Sequence, residues 1–137
     1  MNFGLTAEEE KFREELCDFL KKESTPEMLA ESFRNGYLYG GPEGRKCMQK
    51  LGAKGWLAPI WPRKYGGIDG SHLILYMVID EMAYAGWPWR TIGARMAGPT
   101  IMTYASEELK DEFLPRIASG EIEMALGYSE PEAGSDL

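Results

Sequence analysis

From Phe12 to Ile117 the apolar residues recur at helical spacing, and only one later stretch, 122–126, alternates as a β-strand does. A lone strand has no ladder partner within the chain. The pattern therefore restricts the chain to an all-α fold with a single strand-like segment at its end.

The first helix is predicted from Thr6 onward, with Glu9 three residues later completing a capping box. Phe12, Leu16, Phe19 and Leu20 then share one face, and Arg13 and Lys21 lie on the solvated side. Ser24-Thr25-Pro26 stops this helix near Glu23 and caps a second, which runs to Asn35-Gly36. A third is expected from Pro42 to about Ala53. Gly55 to Gly67 cannot be regular, because glycine and proline interrupt it, yet Trp56, Trp61 and Tyr65 demand burial. A rigid loop folded on the core meets both demands.

The apolar run Leu73–Ile79, continued by Met82-Ala83, predicts a central helix surrounded by others. Residues 90–105 read as a helix interrupted at Gly98-Pro99. Ser106 caps a last helix that turns Leu109, Phe113, Leu114 and Ile117 inward, with Pro115 bending or ending it. A turn-rich segment follows the strand-like stretch, from Tyr128 to Leu137.

Composition excludes several function classes. The chain has 137 residues, 15 Lys plus Arg against 22 Asp plus Glu, and a net charge of -7. Without a basic block it is a poor ligand for a phosphate backbone, so no nucleic-acid partner is expected. Its single histidine, His72, cannot share a metal with a second imidazole and reads as a helix-start or surface residue. Cys17 and Cys47 form no CxxC pair and read as small hydrophobes. There is no GxGxxG or GxxxxGK[ST] pattern. No apolar run approaches the roughly 18 residues of a membrane span, and the N-terminus lacks a secretory pattern. A soluble, cytoplasmic chain in a reducing compartment is expected, with neither a metal nor a catalytic residue assigned.

Three stretches together resemble the acyl-CoA dehydrogenase family. Gly127-Tyr128-Ser129-Glu130-Pro131-Glu132-Ala133-Gly134-Ser135-Asp136 is similar to its first signature. Gly55-Trp56 with Trp61-Pro62-Arg63-Lys64-Tyr65-Gly66-Gly67 resembles an upstream loop. Gly98-Pro99-Thr100, Ser106–Lys110 and Phe113-Leu114-Pro115 resemble the helix leading into the sheet domain. The resemblance implies that residues 1–120 form the family's N-terminal orthogonal helical bundle. Residues 121–137 would be the first strand and signature turn of its middle β domain.

The family uses FAD to remove two hydrogens from an acyl-CoA, a carboxylate taking the α-proton and flavin N5 the β-hydride. By the resemblance Leu126, Tyr128 and Ser129 would lie against the flavin, the Ser129 hydroxyl bonding its ring. Ser135 would contact both cofactor and CoA thioester. On spacing alone these residues read as a polar turn, and the two upstream matches favour the ligand-binding reading. Arg95 stands where fatty-acyl members are often apolar, which suggests a polar or carboxylated substrate. The plainer reading has Arg95 in solvent or paired with a local acid.

The family's catalytic glutamate lies in its C-terminal domain, so this chain is expected to be inactive alone and to lack most of the FAD site. FAD is implied for the complete enzyme and can be absent from this chain. The expected partners are the acyl-CoA substrate and either further copies of the chain or another subunit completing a heteromeric dehydrogenase. A non-catalytic helical interaction module is the remaining alternative.

Overall fold

The computed structural model describes residues 4–38, 40–127, 129–132 and 134. Helix α1 (Ala7–Glu23) begins at the expected capping box: Thr6 Oγ1 accepts from Glu9 N, and the Glu9 carboxylate accepts from Thr6 N at 2.8 Å. Leu16 and Leu20 are fully buried. Phe12 and Phe19 set their rings edge-on to Trp56, with centroids 5.4 and 5.5 Å apart. Trp87 is also buried, its Nε1 donating to Ser24 Oγ at the end of α1.

Helix α2 (Pro26–Arg34) starts at Thr25, and α3 (Pro42–Ala53) at Gly41, which has no side chain to cap it. The cap comes instead from the neighbouring helix, where Glu31 Oε1 accepts from Gly44 N at 2.7 Å. That carboxylate also suits the positive end of the α3 dipole. The loop after α3 behaves as its composition requires. Trp61 and Tyr65 are buried, and a 3₁₀ turn at Arg63–Tyr65 folds it back on itself.

Helix α4 (His72–Tyr84) is capped by Ser71 and packs on α1 through Met77, Val78 and Met82. Glu81, also buried, takes an ion pair from Arg13 of α1 at 2.5 Å. Thus Arg13 is not simply solvated. Leu73, Tyr76 and Tyr84 are exposed, so among the described residues this helix is covered on one side and not surrounded.

The expected break at Gly98-Pro99 is a change of register. A π-helical turn (Gly93–Ala97) runs directly into α5 (Gly98–Tyr104). Widening the turn relieves the clash between a proline ring and the carbonyl four residues earlier. Helix α6 (Glu107–Ala118) buries Leu114 and Ile117 and continues past Pro115, but Leu109 is exposed, contrary to its expected inward position. Residues 122–127 are irregular, with Ile122 and Met124 half-buried against the core. No strand pairs with them among the described residues.

Candidate functional site

The π-turn and residues 122–127 meet at one edge of the bundle. Ala97 N donates to Ile92 O at 3.1 Å, one residue further back than in an α-helix. The turn is wedged from below. Gly98 sits over the indole of Trp61, and a Cβ there would overlap Cζ2 and Cη2 of that ring.

Glu123 joins the two segments. Its Oε1 accepts from Gly93 N, the first amide of the π-turn, and from Met124 N at 2.8 Å. A side chain at position 93 would place Cβ 2.7 Å from that oxygen, so glycine is what lets the carboxylate reach the amide. Beside this junction lies a hollow of about 260 Å³ lined by Leu38, Arg90, Ile92, Glu123, Met124 and Leu126. A more apolar hollow of about 350 Å³ lies between α1 and α4, bordered by Cys17, Leu20 and Tyr84, and involves none of the residues expected to bind ligands.

Arg95 projects from the π-turn and is half-buried. Its guanidinium carbon lies 6.0 Å from the centre of the Trp89 ring. Burial pushes its pKa below the ordinary value, and the negative charge of Glu123 works against that shift. The guanidinium has no hydrogen bond or ion pair among the described residues, and Glu123 is the acid whose charge acts on it. Leu126 is 39% exposed on the rim of the 260 Å³ hollow. Ser129 is exposed, and its hydroxyl has no hydrogen bond among the described residues. Tyr128 and Ser135 lie outside the described residues.

The charge of Glu123 thus acts on Arg95, and Glu123 shares the 260 Å³ hollow with Leu126, with Ser129 three residues further along the chain. Sequence reasoning overlooked Glu123, which looked like the polar half of an alternation, and Trp89. The only sequence signal for their role was the pairing of a glycine-started turn with a carboxylate thirty residues later. Gly127 has open space where a Cβ would stand. Among the described residues no cluster of His, Cys, Asp and Glu could hold a metal ion, and no helix is long and apolar enough to cross a membrane.

Residues 6–121 match the family model of the acyl-CoA dehydrogenase N-terminal domain. The acyl-CoA dehydrogenase FadE26 of Mycobacterium tuberculosis is 39% identical over all of this chain and 34% of its own length. The ChsE4-ChsE5 complex from the same organism superposes with a TM-score of 0.83 at 37% identity, over 99% of this chain and 34% of the matched chain. A steroid acyl-CoA dehydrogenase, Tcur3481-Tcur3483, gives 0.82 at 37% identity, over 99% and 35% respectively. The chain therefore spans about a third of the length of these relatives.

Proposed function

The chain belongs to the acyl-CoA dehydrogenase family, and from that premise we propose that it supplies the N-terminal part of an FAD-dependent enzyme oxidising the Cα–Cβ bond of an acyl-CoA thioester. With about a third of its relatives' length, it is incomplete alone. The observation that carries the reading is Ser129, exposed and with no hydrogen bond to its hydroxyl among the described residues, five positions beyond Met124, which Glu123 anchors.

Bound flavin would accept the hydride removed from the substrate. This chain's residues would do the holding. Ser129 Oγ would donate to the flavin ring, where a fixed donor favours negative charge on the reduced form. By the resemblance Leu126 and Tyr128 would flank it, Ser135 would contact cofactor and thioester, and Arg95 would face the acyl group. Glu123 fixes the strip against the π-turn, so that Ser129 and Arg95 keep their separation. The base that takes the α-proton would come from outside residues 1–137.

Ser129→Ala in the holoenzyme tests this. The expected result is a shifted visible flavin spectrum and a kcat lowered at least about 10-fold with KM little moved. An unchanged spectrum and kcat contradict the role of Ser129.

A second reading has its own support, since both solved neighbours described above are named as pairs of components. In that reading the chain is part of one subunit of a heteromeric dehydrogenase, and a different polypeptide helps complete the flavin site. Co-purification of the holoenzyme with a second, distinct chain supports it, and a purely homomeric holoenzyme overturns it.

A further inference from the structure

Residues 122–127 have few hydrogen bonds to hold them on the bundle. Glu121 N and Ile122 N donate to Arg116 O at 3.0 and 3.3 Å. Beyond Ile122 no backbone–backbone hydrogen bond reaches the strip among the described residues, and Met124 N finds its acceptor in the Glu123 carboxylate at 2.8 Å. The same Oε1 accepts from Gly93 N. One oxygen therefore ties two segments thirty residues apart. It does so at the start of a helical turn, where exposed amides favour a negative charge. Gly93 does not adopt a positive φ, so its backbone does not call for glycine. A Cβ there would stand 2.7 Å from Oε1 and 3.1 Å from Ile117 Cγ2. What glycine supplies at this position is room for the carboxylate.

We infer that Glu123 is a positioning residue for the flavin-facing end of this chain: with Gly93 it forms a latch that sets the π-turn against the strip leading through Leu126 to Ser129. That role rests on the acyl-CoA dehydrogenase reading proposed above and identifies the contact on which its geometry depends. Glu123 itself touches neither cofactor nor substrate. It acts through Met124, half-buried against the core, and through Leu126 on the rim of the 260 Å³ hollow that Glu123 also lines. The carboxylate has two separable properties, an acceptor oxygen shared by two amides and a negative charge that acts on the Arg95 guanidinium. The latch needs the acceptor. The charge strengthens it, because hydrogen bonds to an ionised acceptor are roughly twice as strong as neutral ones.

The test compares the holoenzyme with its Glu123→Ala, Glu123→Gln and Gly93→Ala variants. Thr6→Ala, which removes the cap of α1 far from the strip in sequence, is the control for lost stability. Three things are read: hydrogen–deuterium exchange in peptides covering 90–97 and 120–127, the visible flavin spectrum, and kcat and KM separately. Glu123→Ala and Gly93→Ala break one latch from its two sides. Each is expected to speed exchange in both segments about 10-fold, shift the flavin spectrum and lower kcat about 10-fold with KM moved less than about 2-fold. The double variant is no worse than the poorer single one, as two halves of one contact require. Glu123→Gln keeps the acceptor oxygen and restores most of kcat and the wild-type spectrum. Thr6→Ala moves neither the spectrum nor the exchange of the two segments.

The inference is overturned if Glu123→Ala leaves the flavin spectrum and kcat as in the wild type, even where exchange rises, since the contact would then be structural only. It is also overturned if the two single losses add in the double variant, or if Thr6→Ala reproduces them. Should Glu123→Ala fail to fold, Gly93→Ala decides in its place: the same shifts support the latch and their absence overturns it. A wild-type holoenzyme without flavin overturns the acyl-CoA dehydrogenase reading and this inference together, whereas a flavin-bearing, active wild type indifferent to the latch overturns this inference alone.

Discussion

Replacing Gly98 by alanine tests the packing that holds the site's edge in place. Gly98 is helical, with φ -62° and ψ -49°, so in an open helix the substitution would stabilise by about 1 kcal/mol. Here the new methyl group overlaps the Trp61 ring, which is only 1% exposed and cannot swing aside. It would also lie 3.1 Å from Gly93 O, the carbonyl that accepts the Gly98 amide. Overpacking of a rigid core costs up to about 3 kcal/mol. Less the propensity gain of about 1 kcal/mol, the net loss is about 2 kcal/mol. For a chain of this length that lowers Tm by roughly 7 °C. Thermal melts and urea titrations read the loss directly, and Gly127→Ala, with nothing within 4 Å of the added atom, serves as the control. Trp61→Phe combined with Gly98→Ala should recover part of the methyl group's cost, giving a favourable coupling term in the double-mutant cycle. If Gly98→Ala melts at or above the wild-type temperature, the wedge under the π-turn is not what fixes that turn.

Two further outcomes follow from contacts away from the site. Glu31→Ala removes the cap that α2 lends to α3 and should cost about 1–2 kcal/mol in urea denaturation, with Glu31→Gln costing less; no loss would mean that water replaces the carboxylate. Burial pushes the Cys47 thiol from 9.0 up to about 11. The unfolded chain therefore loses this proton first as pH rises, and stability should fall between about pH 9 and 11. Cys47→Ala should flatten that part of the stability–pH curve, and an unchanged slope would contradict the buried, neutral thiol.

The helix boundaries were legible because their signals are local. Thr6 with Glu9, Thr25 with Pro26, Ser71 and Ser106 each announce a helix start within four residues, and each caps one. The Trp56–Gly67 loop was legible from the conflict between its breakers and its aromatic residues. What the sequence concealed depends on distant partners. The cap on α3 comes from Glu31, thirteen residues before the amide it holds. The π-turn lies over a tryptophan packed beneath Gly98, and no periodicity encodes that approach. Leu109 fits the helical stripe yet remains exposed, since nothing among the described residues covers that part of α6. At the site, Ser129 stands out in the sequence only through its motif, and Leu126 only through its place just before that motif. The unpaired state of Arg95 was not legible, because it depends on where the carboxylate of Glu123 is spent.

In the proposed function this chain is one part of a flavin-dependent acyl-CoA dehydrogenase whose flavin site residues beyond 1–137 help to complete. Native mass spectrometry of the purified assembly, read alongside its visible flavin spectrum, tests it most directly. Bound FAD is expected only in assemblies containing polypeptide beyond residues 1–137, while the bare chain or its homo-oligomers carry none. FAD held stoichiometrically by residues 1–137 alone, or an extended assembly that carries no flavin, would contradict it.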